Sequence, residues 1–307
     1  MTVPGNLSSP LLATAAAAGP AGFNINRSLR FNSADDAHLE RDVTSLGDQR
    51  KMTFSFWVKH TNPNFANDVA IIAMDYNTSA SNHVTARSLS LAFEAGQLKM
   101  YDYGASDAAG DSGSSANWTP GSVDDGRLFR DPSAWYHFVF AVDTTQATAT
   151  NRCKVWVNGE SRQYSSQPVQ NSYLSWGQVR KHYIGIQKVN GSFTRQANML
   201  LAEFHHIDGQ QLDETSFGEF IDGVWQPKEY SGGSYGTNGF YLKFADSSSS
   251  AALGTDSSGN SNTWTVKNLQ ASTGDTTPGQ NFDAVTYSGN GGTQQIGGPV
   301  YSEMLAS

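Results

Sequence analysis

The chain has 307 residues, a formal net charge of −8 and one cysteine, Cys153. A single cysteine excludes an intrachain disulfide and a cysteine-rich zinc site. The acidic balance and the lack of a dense Lys/Arg cluster disfavour direct nucleic-acid binding. No run of the sequence approaches the ~18–20 apolar residues that span a bilayer. Charged residues make up only 16% of the chain, so the polar surface must be built largely from Ser, Thr, Asn, Gln and Gly.

The chain opens on an uncharged, alanine-rich segment, residues 1–22. Its part PLLATAAAAGPAG at 10–22 resembles the apolar core of a secretion signal, but residues 1–9 contain no Lys or Arg. A secretion signal begins with positive charge. We therefore interpret 1–22 as an anchoring segment that docks on a partner through Leu11 and Leu12.

From residue 23 to about residue 244 the sequence has the pattern of β-strands. In Met52–Lys59 the even positions are apolar and the odd ones mostly polar, which is the alternation of a half-buried strand. Six further runs are similar: 88–93, 135–142, 153–157, 183–186, 199–207 and 240–244. Asn-Gly or Asp-Gly pairs at 158, 190, 208 and 238 supply the positive φ angles of tight hairpin turns. Together these signals predict an all-β, antiparallel β-sandwich.

The rest of the chain carries weaker signals. A short helical turn is predicted over 213–221, and two long loops over 62–82 and 103–131. Loops of that length are often functional, or they cover an open sheet edge. The length alone suggests about two domains, although one β-sandwich reaches ~200–250 residues. We divide the chain into the anchoring segment, a sandwich over 23–248 and a polar segment over 249–307. The last cannot bury a core of its own, so it stays extended or lies against the sandwich or a neighbouring chain.

The strand runs also resemble a known family. The sequence WYHFVFAVD at 135–143, followed by CKVWVNG at 153–159, resembles the central hairpin of concanavalin A-like, laminin-G and pentraxin-like jelly rolls. Residues 28–35 and 54–58 look like their opening strands, and 201–210 like their penultimate strand.

A narrower resemblance concerns the context of the protein. Four stretches are similar to lectin-like proteins of tailed bacteriophages: 27–35, 218–230, 235–244 and 256–264. This resemblance implies a non-enzymatic virion structural protein, either a capsid decoration or head-fibre protein or a short tail-fibre protein. It also implies a position on the particle surface, other virion proteins as partners, a homo-oligomer, and adhesion to host-surface glycans.

The carboxylates do not favour an enzyme. Glycoside hydrolysis needs two carboxylates at a set separation, and glucanases of this fold place theirs as Glu-x-Asp-x-x-Glu on one strand. That run does not occur here. Asp213, Glu214 and Glu219 have the wrong spacing and are interpreted as a solvated acidic cluster. We predict no catalytic residue.

Metal ligands were sought among the histidines and aspartates. His205 and His206 are neighbours on a predicted strand, so their side chains face opposite sides of the sheet. Only His206 and Asp208 would share a face, and two ligands are too few for a metal site. Calcium takes six to eight oxygen ligands, and lectin-like jelly rolls often carry it on their loops.

The candidate calcium ligands are Asp102, Asp107 and Asp111, with ordinary solvated loop acids as the alternative. No other cofactor is predicted.

Aromatic residues near the second long loop are the candidates for sugar binding. Aromatic faces stack on sugar rings while nearby polar groups fix the orientation, and Tyr101, Tyr103 and Trp118 fit that description. The alternative is that they cover the core or an edge. Two functions besides the virion protein stay open: a free carbohydrate-binding lectin and a polysaccharide-active enzyme.

Overall fold

The computed structural model describes residues 23–61, 68–76, 88–105, 116–118, 127–162, 164, 166–271 and 295–296. In chain order the strands are β1 (Ser28–Phe31), β2 (His38–Asp42), β3 (Lys51–His60), β4 (Val69–Met74), β5 (Ser88–Glu94), β6 (Gln97–Ala105), β7 (Ala116–Trp118), β8 (Tyr136–Asp143), β9 (Cys153–Val157), β10 (Glu160–Arg162), β11 (Lys181–Ile184), β12 (Gln187–Val189), β13 (Ser192–Thr194), β14 (Met199–Asp208), β15 (Gly218–Ile221), β16 (Val224–Pro227), β17 (Phe240–Leu242), β18 (Thr265–Lys267) and β19 (Gln295–Ile296). Short 3-10 turns occupy Ser33–Asp35, Ala149–Asn151, Glu214–Ser216 and Ala251–Gly254.

The strands form two antiparallel sheets and two separate hairpins. The eight-stranded sheet has the order β10–β9–β8–β3–β14–β1–β19, with β17 also paired to β14. The seven-stranded sheet has the order β18–β2–β11–β4–β5–β6–β7. The hairpins are β12–β13 and β15–β16. The predicted all-β, antiparallel sandwich is confirmed.

The core fills the space between the two sheets. Strand alternation turns Phe54 and Phe56 of β3 inward, where they meet Leu91 and Phe93 of β5 in one buried cluster. Burying a side chain of this size contributes about 1.5–3 kcal/mol relative to leaving it exposed. Cys153 at the start of β9 belongs to the same cluster, and burial raises the pKa of its thiol far above its usual range.

Two of the predicted turns close hairpins. Asn158–Gly159 joins β9 to β10, and Asn190–Gly191 joins β12 to β13; both residues of each pair have positive φ. The other two pairs do not close hairpins. After Asp208–Gly209 the chain leaves the sheet for the β15–β16 hairpin. At Asn238–Gly239 the glycine is required by a close approach, because a Cβ there would lie 1.8 Å from the Tyr235 carbonyl oxygen.

The region after β14 is more strand-like than the sequence predicts. The helical turn expected over 213–221 is a single 3-10 turn, Glu214–Ser216, and the chain then enters β15. Asp222–Gly223, with φ angles of 50° and 81°, connects β15 to β16. This hairpin was not predicted, because its two four-residue strands are too short to show a clear alternation.

The first part of the predicted C-terminal segment is built into the sandwich. Strand β18 pairs with β2, and Trp264 is buried with its ring edge-on to Phe240 at 5.1 Å. Residues 249–271 lie against the sandwich, and Leu253 and Trp264 belong to its core. The division of the chain after residue 248 stays a prediction.

The predicted anchoring segment 1–22, with Leu11 and Leu12, lies outside the described residues, and its role stays a prediction. Within the described ranges no helix has the length and hydrophobicity needed to cross a membrane.

A β-bulge interrupts the central strand β14. Its pairing with β3 shifts between Ala202 and His205, and the extra residue Glu203 takes a left-handed φ of 46°. The Glu203 carboxylate accepts a hydrogen bond from the Tyr241 hydroxyl. Burial nevertheless raises the pKa of Glu203 to about 7. The bulge reverses the phase of the alternation: Ala202 faces outward before it, whereas His205 faces outward and His206 inward after it.

Glu203→Gln should make the protein more stable at alkaline pH. The folded-state pKa of about 7 exceeds the ordinary value of 4.5, so the native state loses stability as pH rises from the lower value to the higher one. Relative to acidic pH, where Glu203 is protonated in both states, the unfolding free energy falls by about 1 kcal/mol at pH 5 and about 3 kcal/mol at pH 8. Urea unfolding at both pH values should show the variant exceeding the wild type by those amounts. The exposed Glu219 provides the control: if Glu203→Gln behaves as Glu219→Gln does, the assignment is wrong.

Candidate functional site

A pocket of about 360 Å³ opens between the β15–β16 hairpin and the outer face of the eight-stranded sheet. Its lining is aromatic with a polar margin: Trp57, Arg127, Trp135, Tyr136, Val157, Asn158, Glu160, Arg162, Phe220, Gly223, Val224 and Trp225. Ligand sites in proteins combine apolar walls with a few polar groups in this way, within volumes of ~300–1,000 Å³.

The floor of this aromatic pocket rests on three adjoining rings. The imidazole of His137 stacks on Trp57, with centroids 4.7 Å apart and an interplanar angle of 21°. The Trp225 ring lies beside the imidazole and nearly coplanar with it, at 5.9 Å and 23°. Trp57 comes from β3, His137 from β8 and Trp225 from β16, so the three rings fix the hairpin to the sheet. All three side chains are buried.

Hydrogen bonds fix the protonation of His137. The indole Nε1–H of Trp225 donates to His137 Nδ1 at 3.0 Å, so Nδ1 carries no proton. The remaining proton is on Nε2, which lies 2.9 Å from the Ser55 hydroxyl and donates to it. Burial lowers the pKa of His137 to about 3, and a proton added at Nδ1 would also oppose the indole N–H. His137 is therefore a neutral structural acceptor and not an acid–base group.

Two glycines make room for the Trp225 ring. A Cβ at Gly159, in the β9–β10 turn, would lie 2.2 Å from the indole, and a Cβ at Gly218 would lie 2.3 Å from it. Real Cβ atoms do not approach that closely, so any other residue at either position would displace the ring. Gly159 also has a φ of 77°, which L-residues rarely adopt.

The remaining walls come from Trp135 and Phe220. Trp135 is buried in a cluster with Trp57 and Trp225, against which Ile25 and Phe23 also pack. Phe220 is 54% exposed, and its ring lies 5.0 Å from Trp225. The pocket thus has a fixed indole floor and one exposed aromatic side wall.

The polar margin is formed around the β9–β10 turn. Asn158 Oδ1 accepts a hydrogen bond from the His137 backbone N–H at 2.8 Å. The NH₂ group of Asn158 is therefore directed away from the His137 backbone. Arg162 forms an ion pair with Glu160, two residues away on the same face of β10. Arg127 lies with its guanidinium carbon 5.7 Å from the Phe129 ring centroid.

The predicted sugar-binding residues lie on the opposite side of the sandwich. Tyr101 is on the outer face of β6, where its hydroxyl donates to Glu94 and the Arg195 guanidinium lies 5.5 Å from its ring. Arg195 also lines a groove of about 540 Å³ beside the β12–β13 hairpin. Tyr103 and Trp118 belong to the paired strands β6 and β7, but their side chains lie outside the described residues. The sugar-binding role of this group stays a prediction.

The candidate calcium ligands are not brought together in the described part of the chain. Asp102 is buried and points inward, and its carboxylate accepts hydrogen bonds from the backbone N–H and the hydroxyl of Ser175. It therefore holds the loop at Ser175 against β6. Asp107 and Asp111 lie outside the described residues, so the calcium site stays a prediction. Among the residues that are described, no three His, Cys, Asp or Glu form a group that could hold a metal ion.

The sequence analysis did not identify the aromatic pocket. Trp57, Trp135 and Trp225 lie in three separate parts of the chain, and the first two fall within or beside predicted strands, where aromatic residues are ordinary. The usable signal was the Asp222–Gly223 turn between Phe220 and Trp225, which places two aromatic residues on one hairpin.

Comparisons with known proteins give only distant likenesses. No family model matches the chain, and no curated protein matches it. Among solved structures, it is similar to domains LG4-5 of the mouse laminin alpha1 chain, with a TM-score of 0.39 and 14% identity over 74% of this chain and 50% of that one. It is also similar to the SAP-like pentraxin of Limulus polyphemus, with a TM-score of 0.37 and 16% identity over 62% and 80% of the two chains.

A third likeness is to the IT-sialidase CBM40 of Ruminococcus gnavus bound to alpha2,3 sialyllactose. Its TM-score is 0.36, with 13% identity over 56% of this chain and 87% of that one. The chain spans half of the laminin fragment it matches. Structures this distant from the chain indicate no function for it, and the pocket is the feature from which a function is inferred.

The hydrogen bond between Trp225 and His137 should contribute measurably to stability. His137→Phe keeps a ring in the stack but leaves the buried indole N–H without an acceptor, which costs about 1–3 kcal/mol. We expect that loss of unfolding free energy in urea denaturation. His137→Gln supplies an amide oxygen as acceptor and should recover part of it. Equal losses in the two variants would contradict the assigned hydrogen bond.

Proposed function

We propose that the chain is a non-enzymatic lectin-like protein that binds glycan in the aromatic pocket between the β15–β16 hairpin and the eight-stranded sheet. The observation that carries the proposal is the pocket's composition. Three indoles and the exposed ring of Phe220 enclose it, and amide, carboxylate and guanidinium groups stand at its margin.

The physical argument follows from the two faces of a sugar ring. Its C–H groups form apolar patches that stack on aromatic side chains, and its hydroxyl groups need hydrogen-bond partners that fix orientation. The indole floor is held by the stack on His137, so it loses little conformational freedom when a ligand binds. Preorganisation of this kind lowers the cost of binding.

The carboxylate content of the pocket lining supports glycan binding without glycan hydrolysis. Glu160 is the one carboxylate among the described lining residues, and it is paired with Arg162. Hydrolysis of a glycosidic bond uses two carboxyl groups across the scissile bond. The polysaccharide-active enzyme is therefore the less favoured alternative.

Replacing the exposed wall of the pocket should abolish recognition without unfolding the protein. Phe220 is more than half exposed, so Phe220→Ala should leave the melting temperature nearly unchanged. Loss of its stacking should weaken glycan binding at least about ten-fold, equivalent to roughly 1.4 kcal/mol. A glycan array identifies the ligand, and titration calorimetry with that ligand gives the ratio.

The matched control lies on the other hairpin. Phe193 of β13 is 38% exposed and packs on the outer face of the seven-stranded sheet, near His38 and Tyr183. Phe193→Ala should leave glycan binding unchanged. If instead Phe193→Ala weakens binding and Phe220→Ala does not, the proposal for the aromatic pocket is wrong.

We further propose that this lectin-like sandwich is displayed on a bacteriophage particle, with other virion proteins as partners. The support is the sequence resemblance to phage lectin-like proteins and the uncharged segment 1–22. The alternative is a free lectin, in which segment 1–22 would have no anchoring role.

Deletion of residues 1–22 separates the virion protein from the free lectin. The segment has no charge and little bulk. The truncated protein should melt as the full chain does, bind the same glycan, and fail to co-sediment with particles that lack the protein. Co-sedimentation equal to that of the full chain would refute anchoring by 1–22.

A further inference from the structure

The polar groups of the aromatic pocket are mostly hydrogen-bond donors. Arg127 and Arg162 bring two guanidinium groups, and Asn158 brings an NH₂ group because its oxygen is engaged with the His137 backbone. The opposing acceptor is the Glu160 carboxylate, which is exposed and bonded to Arg162. Among the described lining residues, the charged side chains are thus two cations and one anion.

This local charge is opposite in sign to that of the whole chain. The protein carries 28 acidic and 20 basic residues, a net charge of −8. A pocket with an excess of arginine on such a chain attracts anions to one place while the remaining surface repels them. Arginine is also the side chain whose planar N–H groups match the two oxygens of a carboxylate.

We infer that the ligand of the aromatic pocket is an acidic glycan, one whose sugar units carry a carboxylate, such as a uronic acid. The inference rests on the proposed function and names its substrate class. The sugar ring stacks on the exposed ring of Phe220 beside the indole floor, and its carboxylate meets Arg127 and Arg162 at the margin. Glu160 holds Arg162 in position at the margin, two residues along β10.

The test compares acidic oligosaccharides with neutral copies of themselves. Uronate oligomers of several linkages, among them oligogalacturonate and oligomannuronate, are titrated into the full chain beside the same oligomers after chemical reduction of their carboxyl groups. At least one acidic oligomer should bind roughly ten-fold or more tightly than its reduced copy. That preference should shrink as NaCl rises from low to high concentration, because salt screens exposed charges.

Two variants assign the preference to the pocket. Arg162→Gln and Arg127→Gln should each reduce the ratio between the affinity for the acidic oligomer and the affinity for its neutral copy. Arg130→Gln is the control, since Arg130 is exposed and does not line the pocket. Phe220→Ala should weaken binding of both oligomers.

The outcomes separate this inference from the proposed function. If every acidic oligomer binds no better than its reduced copy, or if the preference survives both arginine changes, the acidic-glycan inference is wrong. If neutral glycans then still bind with dependence on Phe220, glycan binding in the pocket stands without it. Dependence of no glycan on Phe220 would remove the proposed function as well.

Discussion

The hydrogen bond from the Trp225 indole to His137 is the contact on which the outer face of the eight-stranded sheet depends. It requires a neutral imidazole with its proton on Nε2, and that Nε2–H donates a hydrogen bond to the Ser55 hydroxyl. The β15–β16 hairpin is thereby held to β8 through Trp225. That bond adds a fixed direction to the apolar contacts of the hairpin, which by themselves are non-directional.

The same arrangement occurs a second time inside the sandwich. The indole of Trp176 donates to His206 Nε2 at 3.2 Å, and the other nitrogen of His206 lies 3.4 Å from the Asn238 carbonyl oxygen, to which it donates. Burial lowers the pKa of this histidine to about 3. Both histidines are therefore neutral orienting groups, one for the outer hairpin and one for the segment that leads into β17. Their charged forms are incompatible with either arrangement.

The sandwich could be predicted because its signal is local. Strands such as β3, with Phe54 and Phe56, show their alternation within ten residues, and two Asn-Gly pairs mark true hairpins. Strand β4 is buried nearly throughout, has no alternation, and falls in the loop predicted over 62–82. The candidate pocket could not be predicted, since it depends on where distant segments meet. Trp57 and Trp225 have ordinary strand surroundings in the sequence, and only the fold places both of them against one histidine. Tyr101, chosen for its position by a long loop, lies on the opposite sheet for the same reason.

Cys153 gives the protein a practical property. It is the only cysteine in the chain, and its thiol is enclosed in the core. Alkylating reagents react with accessible thiolates, so the folded protein presents no competing thiol to them. A Glu219→Cys substitution would therefore create a single labelling position on the β15–β16 hairpin, beside the pocket, because Glu219 is exposed and does not line it. A fluorophore attached there would report occupancy directly, and a surface coupled there would orient every molecule in the same way.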